Sequence, residues 1–124
     1  MNMYMKKKTS FLSNYPKIGR PVAYYPSFGN FLGSAKAGVF ISQLGYWEGK
    51  QKDKSGFIYK TQTDLKHETG LTRYEQETVR KALKKKGYLK EQRRGVPARM
   101  YFKIDWDKFM SDFYSWIENY GYDR

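Results

Sequence analysis

The 124-residue chain contains no cysteine and a single histidine, His67. Disulfides and cysteine-based zinc sites are therefore excluded, and a cluster of metal-binding histidines has no material to form from. Acidic side chains are scarce: 12 Asp and Glu stand against 24 Lys and Arg, a formal net charge of +12. Long apolar runs are missing too. Runs such as Val39-Phe40-Ile41 are far too short to cross a bilayer. Lys6-Lys7-Lys8 is followed by no apolar stretch of the signal-peptide kind. Gly29, Gly33 and Gly38 lack the spacing of a phosphate cradle, and Asp105 and Asp107 suit helix capping better than two metals. These absences lead to the expectation of a soluble, cytoplasmic chain that is not an enzyme and has no catalytic residue, metal or cofactor.

What is present is aromatic and basic. Twelve Tyr, eight Phe and three Trp supply much of the prospective core, and tyrosine hydroxyls need partners when buried, so some rings should lie at the surface. The charge is uneven. Residues 72–103 carry 11 Lys and Arg against 3 Asp and Glu, whereas residues 104–124 carry 2 against 5. A field concentrated in this way favours a polyanion.

Along the chain, residues 1–30 read as an irregular basic arm, because Pro16, Pro21 and Pro26 interrupt any helix. A helix apolar on most sides is predicted from Phe31 to Glu48, followed by a polar, Gly-bounded loop over 49–56 and a short β-prone run, Phe57-Ile58-Tyr59. A short helix over Gln62–Glu68 can be capped by Thr61 or Thr63. Gly70 sits where the chain turns sharply, and Leu71 should plug the angle between two helices. Thr72 and Glu75 have capping-box spacing, so the next helix runs from Arg73 to Lys86 and stops at Gly87. Its inward stripe is Val79, Ala82 and Leu83, with Gln76 and Lys86 at the margins. Its outward face collects Arg73, Tyr74, Glu77, Lys81 and Lys84, flanked by Arg80. Tyr88–Gln92 and Arg99–Ile104 read as a hairpin with Arg93 and Arg94 near the tip. Asp105 can cap a last helix whose Trp106, Phe109, Met110, Phe113, Trp116, Ile117 and Tyr120 fall within about 120° of a helical wheel.

The order of elements gives an α+β winged helix-turn-helix over 31–104, a three-helix core with a small antiparallel β-wing, and an amphipathic helix over 105–124. In such a unit the second helix enters the major groove with its N-terminal residues first. That places Arg73, Tyr74 and Glu77 near base edges and Arg80, Lys81 and Lys84 near phosphate. Thr61, Gln62 and Thr63 open the preceding helix, where N–H groups and hydroxyls suit phosphate. Arg93, Arg94 and Arg99 should reach the backbone from the hairpin. The stripe of Trp106, Phe109, Phe113, Trp116 and Ile117 either packs on its own domain or forms an interface with a second copy or a protein partner.

The pieces also resemble the winged-helix domains of phage, plasmid and mobile-element replication proteins, including replisome organisers. The resemblance spans about Arg20 to Ile104. It rests on Gly33-Ser34, Gln43-Leu44 with Tyr46-Trp47, Ile58-Tyr59-Lys60-Thr61, Thr69-Gly70-Leu71-Thr72, Leu83 with Gly87-Tyr88-Leu89, and Gly95-Val96-Pro97-Ala98-Arg99 continuing into Met100-Tyr101-Phe102. It implies DNA binding at or near a replication origin, without catalysis. A second, helicase-loading domain like that of longer organisers is not expected within these residues. Duplex DNA is the favoured partner. A single-strand accessory to a primase or helicase, a transcriptional repressor and a protein-interaction module on the same fold stand as alternatives.

Overall fold

A computed structural model of the chain describes residues 18, 19 and 21–120. The Lys6-Lys7-Lys8 arm, Pro16 and Arg20 lie outside the described residues. The element order is α1 (Pro26–Leu32), α2 (Ala35–Trp47), β1 (Ile58–Tyr59), α3 (Gln62–Thr69), α4 (Arg73–Lys85), β2 (Leu89–Arg94), β3 (Arg99–Ile104) and α5 (Trp106–Tyr120). The architecture is α+β: the described residues form five helices and one antiparallel sheet in the order β1-β3-β2.

The single helix expected from Phe31 to Glu48 is two. Pro26 occupies the first turn of α1, where its missing N–H costs nothing. The helix ends at Gly33, whose φ of 72° lies in the left-handed region that a side chain rarely tolerates. Ser34 then starts α2, its hydroxyl accepting from the Ala37 N–H at 3.1 Å. Residues 26–30 are thus helical, not part of an irregular arm.

Helix α2 is the centre of the molecule: Phe40, Ile41 and Leu44 are fully buried, as expected for a helix apolar on most sides. Around it stand Leu65 of α3, Val79 and Leu83 of α4, and Ile58, Leu89, Phe102 and Ile104 of the sheet. A second, aromatic layer lies between α1 and α5. Phe28 and Phe31 meet Phe109 and Phe113 edge-on, with centroids 5.0 to 5.7 Å apart. Edge-to-face rings at this range add attraction beyond their burial.

This layer answers the two readings of the C-terminal stripe. Phe109 and Phe113 are buried within the chain's own fold, and Trp106 donates to Glu48 at 3.1 Å. Trp116 and Ile117 are half-buried, with Trp116 against Phe31. Two of the five proposed interface residues are therefore closed to a partner, because α1, missed in the sequence, covers them. Asp105 caps the helix as expected, accepting from the Lys108 N–H at 3.0 Å.

Helices α1 and α2 touch backbone to backbone. A Cβ on Gly38 would lie 2.7 Å from the Cα and N of Gly29. In an open helix Gly→Ala stabilises by about 1 kcal/mol. Here the sign should reverse, with Gly38→Ala costing about 1–3 kcal/mol through overpacking. Urea unfolding with an unchanged m-value checks this, and a more stable variant would show that the two helices do not meet there.

Candidate nucleic-acid interface

Helices α3 and α4 are set by three polar devices. Thr61 and Asp64 form a reciprocal capping box at the start of α3, and Thr72 and Glu75 form another at α4. Gly70, at φ 77°, carries the turn between them. Gln76, read from sequence as marginal, is fully buried: its amide donates to the carbonyls of Gln62 and Leu71 at 3.1 and 3.0 Å. It pins the start of α3 and the turn to the first turn of α4. Ala82, expected inward, is exposed, and Gln76, Val79 and Leu83 form the buried seam instead. Helix α4 ends as expected at Gly87: the N–H groups of Gly87 and Tyr88 reach the carbonyls of Lys84 and Leu83, both at 3.0 Å.

The hairpin is longer than expected. β2 continues through Arg93 and Arg94, paired with Met100 and Arg99, so the turn is confined to residues 95–98. Strand alternation then separates the two arginines. Arg93 shares the face of Leu89 and Glu91, turned toward α4. Arg94 points to the other face, where it holds Asp53 at 2.7 and 3.3 Å and lies over the Tyr101 ring. Arg94, first placed at the nucleic-acid surface, is thus engaged by the 49–56 loop. Asp53 is held far below the usual carboxylate range by Arg94 first and by the Ser55 hydroxyl second.

Between α4, the start of α3 and the inner face of the hairpin lies a groove of about 650 Å³. Nine of the twelve predicted contacts line it: Thr61, Gln62, Arg73, Glu77, Arg80, Lys81, Lys84, Arg93 and Arg99. Tyr74 and Thr63, although exposed, do not line it, and neither does Arg94. Seven cations and one carboxylate, Glu77, form the walls, while Leu65, Met100 and Phe102 contribute apolar floor. Lys60 and Tyr59 were missed. The only sequence cue for Tyr59 was its outward alternation with Ile58.

The cations are not equivalent. The Arg80 guanidinium meets both carboxylate oxygens of Glu91, at 2.5 and 3.1 Å, and Lys84 adds a third contact at 2.9 Å. Burial would raise the Glu91 carboxyl, but hydrogen bonds from Arg80 and Lys84 outweigh it and keep the group below its ordinary value. Arg80 is only 14% exposed in its side chain and lies over the Phe102 ring. It is a structural clamp between α4 and β2, not the free phosphate ligand first expected. Lys60 is similarly held by Glu68, which also accepts from Gln43 and Trp47. Arg73 pairs with Glu77 across one helical turn at 3.1 Å, with both side chains largely exposed. Lys81 and Arg93 have no carboxylate partner among the described residues.

Among the described residues no cluster of three or more His, Asp or Glu side chains is placed to hold a metal ion, and no helix is long and apolar enough to cross a membrane. Protein-family models, curated proteins and solved structures give no match to this chain.

Two outcomes follow from the ion pairs. Arg80→Ala should destabilise the fold by about 2 kcal/mol, less than for a fully buried pair because Lys84 remains beside Glu91, whereas Lys81→Ala should leave stability unchanged. Paired denaturation curves separate the clamp from the free cation. Glu75 is held down to about 2, by the Lys36 ammonium first and the Thr72 backbone N–H second, from an ordinary value of 4.5. Its contribution is complete above pH 4.5 and is lost as pH falls toward 2. Glu75→Gln keeps a cap acceptor and removes the charge, so its melting temperature should fall less over that interval than that of the parent chain.

Proposed function

We propose that the chain is a winged helix-turn-helix protein that binds duplex DNA, with α3 and α4 as the helix pair and β2–β3 as the wing. The observation that carries this reading is that the exposed face of α4 and the inner face of the hairpin converge on one cationic groove. Arg73, Glu77, Lys81 and Lys84 recur at three- and four-residue steps, a single stripe on a helix of 13 residues, about 20 Å long. The major groove of B-form DNA admits such a helix. Lys81 of α4 and Arg93 of β2 both line the groove, and among the described residues neither forms an ion pair, so both are suited to phosphates. Arg73 and Glu77 stand in the first turns of α4, where base edges are met. Their mutual ion pair is exposed and therefore weak, so DNA can separate it. The resemblance to replication proteins of mobile elements supports a role in initiating replication or controlling it, with sequence- or structure-specific binding.

Binding titrations over a range of salt concentrations test this. Lys81→Ala and Arg93→Ala should each weaken all duplexes alike and lower the salt slope by about 1. Arg73→Ala should act selectively, costing about 1–3 kcal/mol on the preferred sequence and less on others. An unchanged salt slope in both Lys81→Ala and Arg93→Ala would place the DNA elsewhere on the molecule.

A further inference from the structure

The sheet has a second face, on which no helix packs among the described residues. Its inner face supplies Ile58, Phe102 and Ile104 to the core, so strand alternation turns Tyr59, Arg99, Tyr101 and Lys103 outward. Tyr59 and Tyr101 are register partners across β1 and β3, with ring centroids 5.3 Å apart and planes inclined by 37°. Arg94 lies over Tyr101 at 4.2 Å and Arg99 over Tyr59 at 5.6 Å. Beside the pair opens a cavity of about 430 Å³ lined by Trp47, Lys50, Lys52, Lys60 and both tyrosines. Its one carboxylate, Asp53, is already engaged by Arg94.

We propose that this outer face binds an unpaired nucleic-acid strand, whose bases stack on Tyr59 and Tyr101 while its phosphates meet Lys50 and Lys52. Neighbouring flat rings among cations are the elements from which sequence-tolerant single-strand sites are built. A duplex cannot use them, because its base faces are already stacked on one another. An acidic peptide would satisfy the lysines and leave the rings unused. The cavity is continuous in residues with the groove: Tyr59 and Lys60 line both, at the edge strand β1. A duplex in the groove that frays into a single strand could therefore pass round β1 onto the tyrosines, and the ligand that fills both surfaces is a duplex with a single-stranded tail. Only the duplex part of this ligand rests on the function proposed above.

The test compares a blunt duplex, the same duplex with a DNA or RNA tail, and the tail alone, using the full chain. At least one kind of tail should raise affinity about tenfold over the blunt duplex, the scale of one stacked base. Tyr101→Ala, which does not touch the groove, should abolish that gain and leave blunt-duplex binding intact, while Tyr101→Phe keeps the ring and the gain. Lys52→Glu, on an exposed loop, should weaken the tailed ligand selectively and so provides the same test without altering the sheet. A tail without effect, a gain that survives Tyr101→Ala, or displacement of the tail by polyglutamate as readily as by nucleic acid would each overturn the proposal. Loss of blunt-duplex binding with a Tyr101-dependent affinity for the tail alone would instead overturn the groove reading and leave this one standing.

Discussion

A guanidinium held by both oxygens of one carboxylate fixes how α4 stands against the hairpin. Arg80 and Glu91 come from different elements, 11 residues apart, and both side chains are mostly removed from water. A single arginine left there without its partner would carry a desolvation cost that water could not offset. The pair therefore holds as a unit, with Phe102 beneath the guanidinium and Lys84 at its outer side. Because it sits at the base of the groove, it sets the spacing between the free cations above it. Gln76 has a similar role on the other flank, its buried amide donating to the carbonyls of Gln62 and Leu71. The groove is thus shaped by polar contacts, while the apolar seam beneath α4, Val79 and Leu83 alone, is narrow.

This arrangement divides the positive charge into two kinds. Arg80, Lys60 and Arg94 are neutralised locally and serve the fold. Among the described residues Lys81 and Arg93 have no carboxylate partner, and Arg73 has only an exposed one. Net charge alone would count all of them equally, yet only the second kind can exchange water and counterions for phosphate without dismantling a structural contact. The distinction also orders the energetics. Exposed pairs such as Arg73–Glu77 contribute about 0.2–1 kcal/mol at most, so an incoming anion loses little by replacing Glu77, whereas drawing Arg80 away from Glu91 would loosen the hairpin.

Local chemistry made much of the fold legible. The capping box at Thr72 and Glu75, the stop at Gly87, the Asp105 cap and the period of α5 are all short-range signals, and each is found at its expected residue. The break between α1 and α2 was also written locally, as Pro26 followed by Gly33-Ser34. It is obscured because Pro26 reads as an interruption, whereas proline is equally at home in the first turn of a helix. Unreadable in principle were the partners of the charges. Nothing in sequence links Arg80 to Glu91 rather than to Glu75 or Glu77, or Arg94 to Asp53, which lies 41 residues away. The extension of β2 through Arg94 depends on pairing with β3, and it alone decides which arginine faces the groove.

The aromatic residues show the same division of labour. The layer of Phe28, Phe31, Phe109 and Phe113 lies between α1 and α5, neither of which contributes a residue to the groove. Tyr88, at the end of α4, joins it to the hairpin: its hydroxyl donates to Asp112 of α5 at 2.7 Å, and burial first, then that carboxylate, raises the phenol far above its ordinary value. The phenol therefore stays protonated and keeps donating. Acidic residues concentrate on α5, with Asp107, Asp112 and Glu118 against the single Lys108. Among the described residues the field for a polyanion is therefore less favourable beside α5 than at the groove. Over the described residues the charge of this +12 chain is thus polarised between α5 and the groove, which a uniform coat of lysines would not achieve.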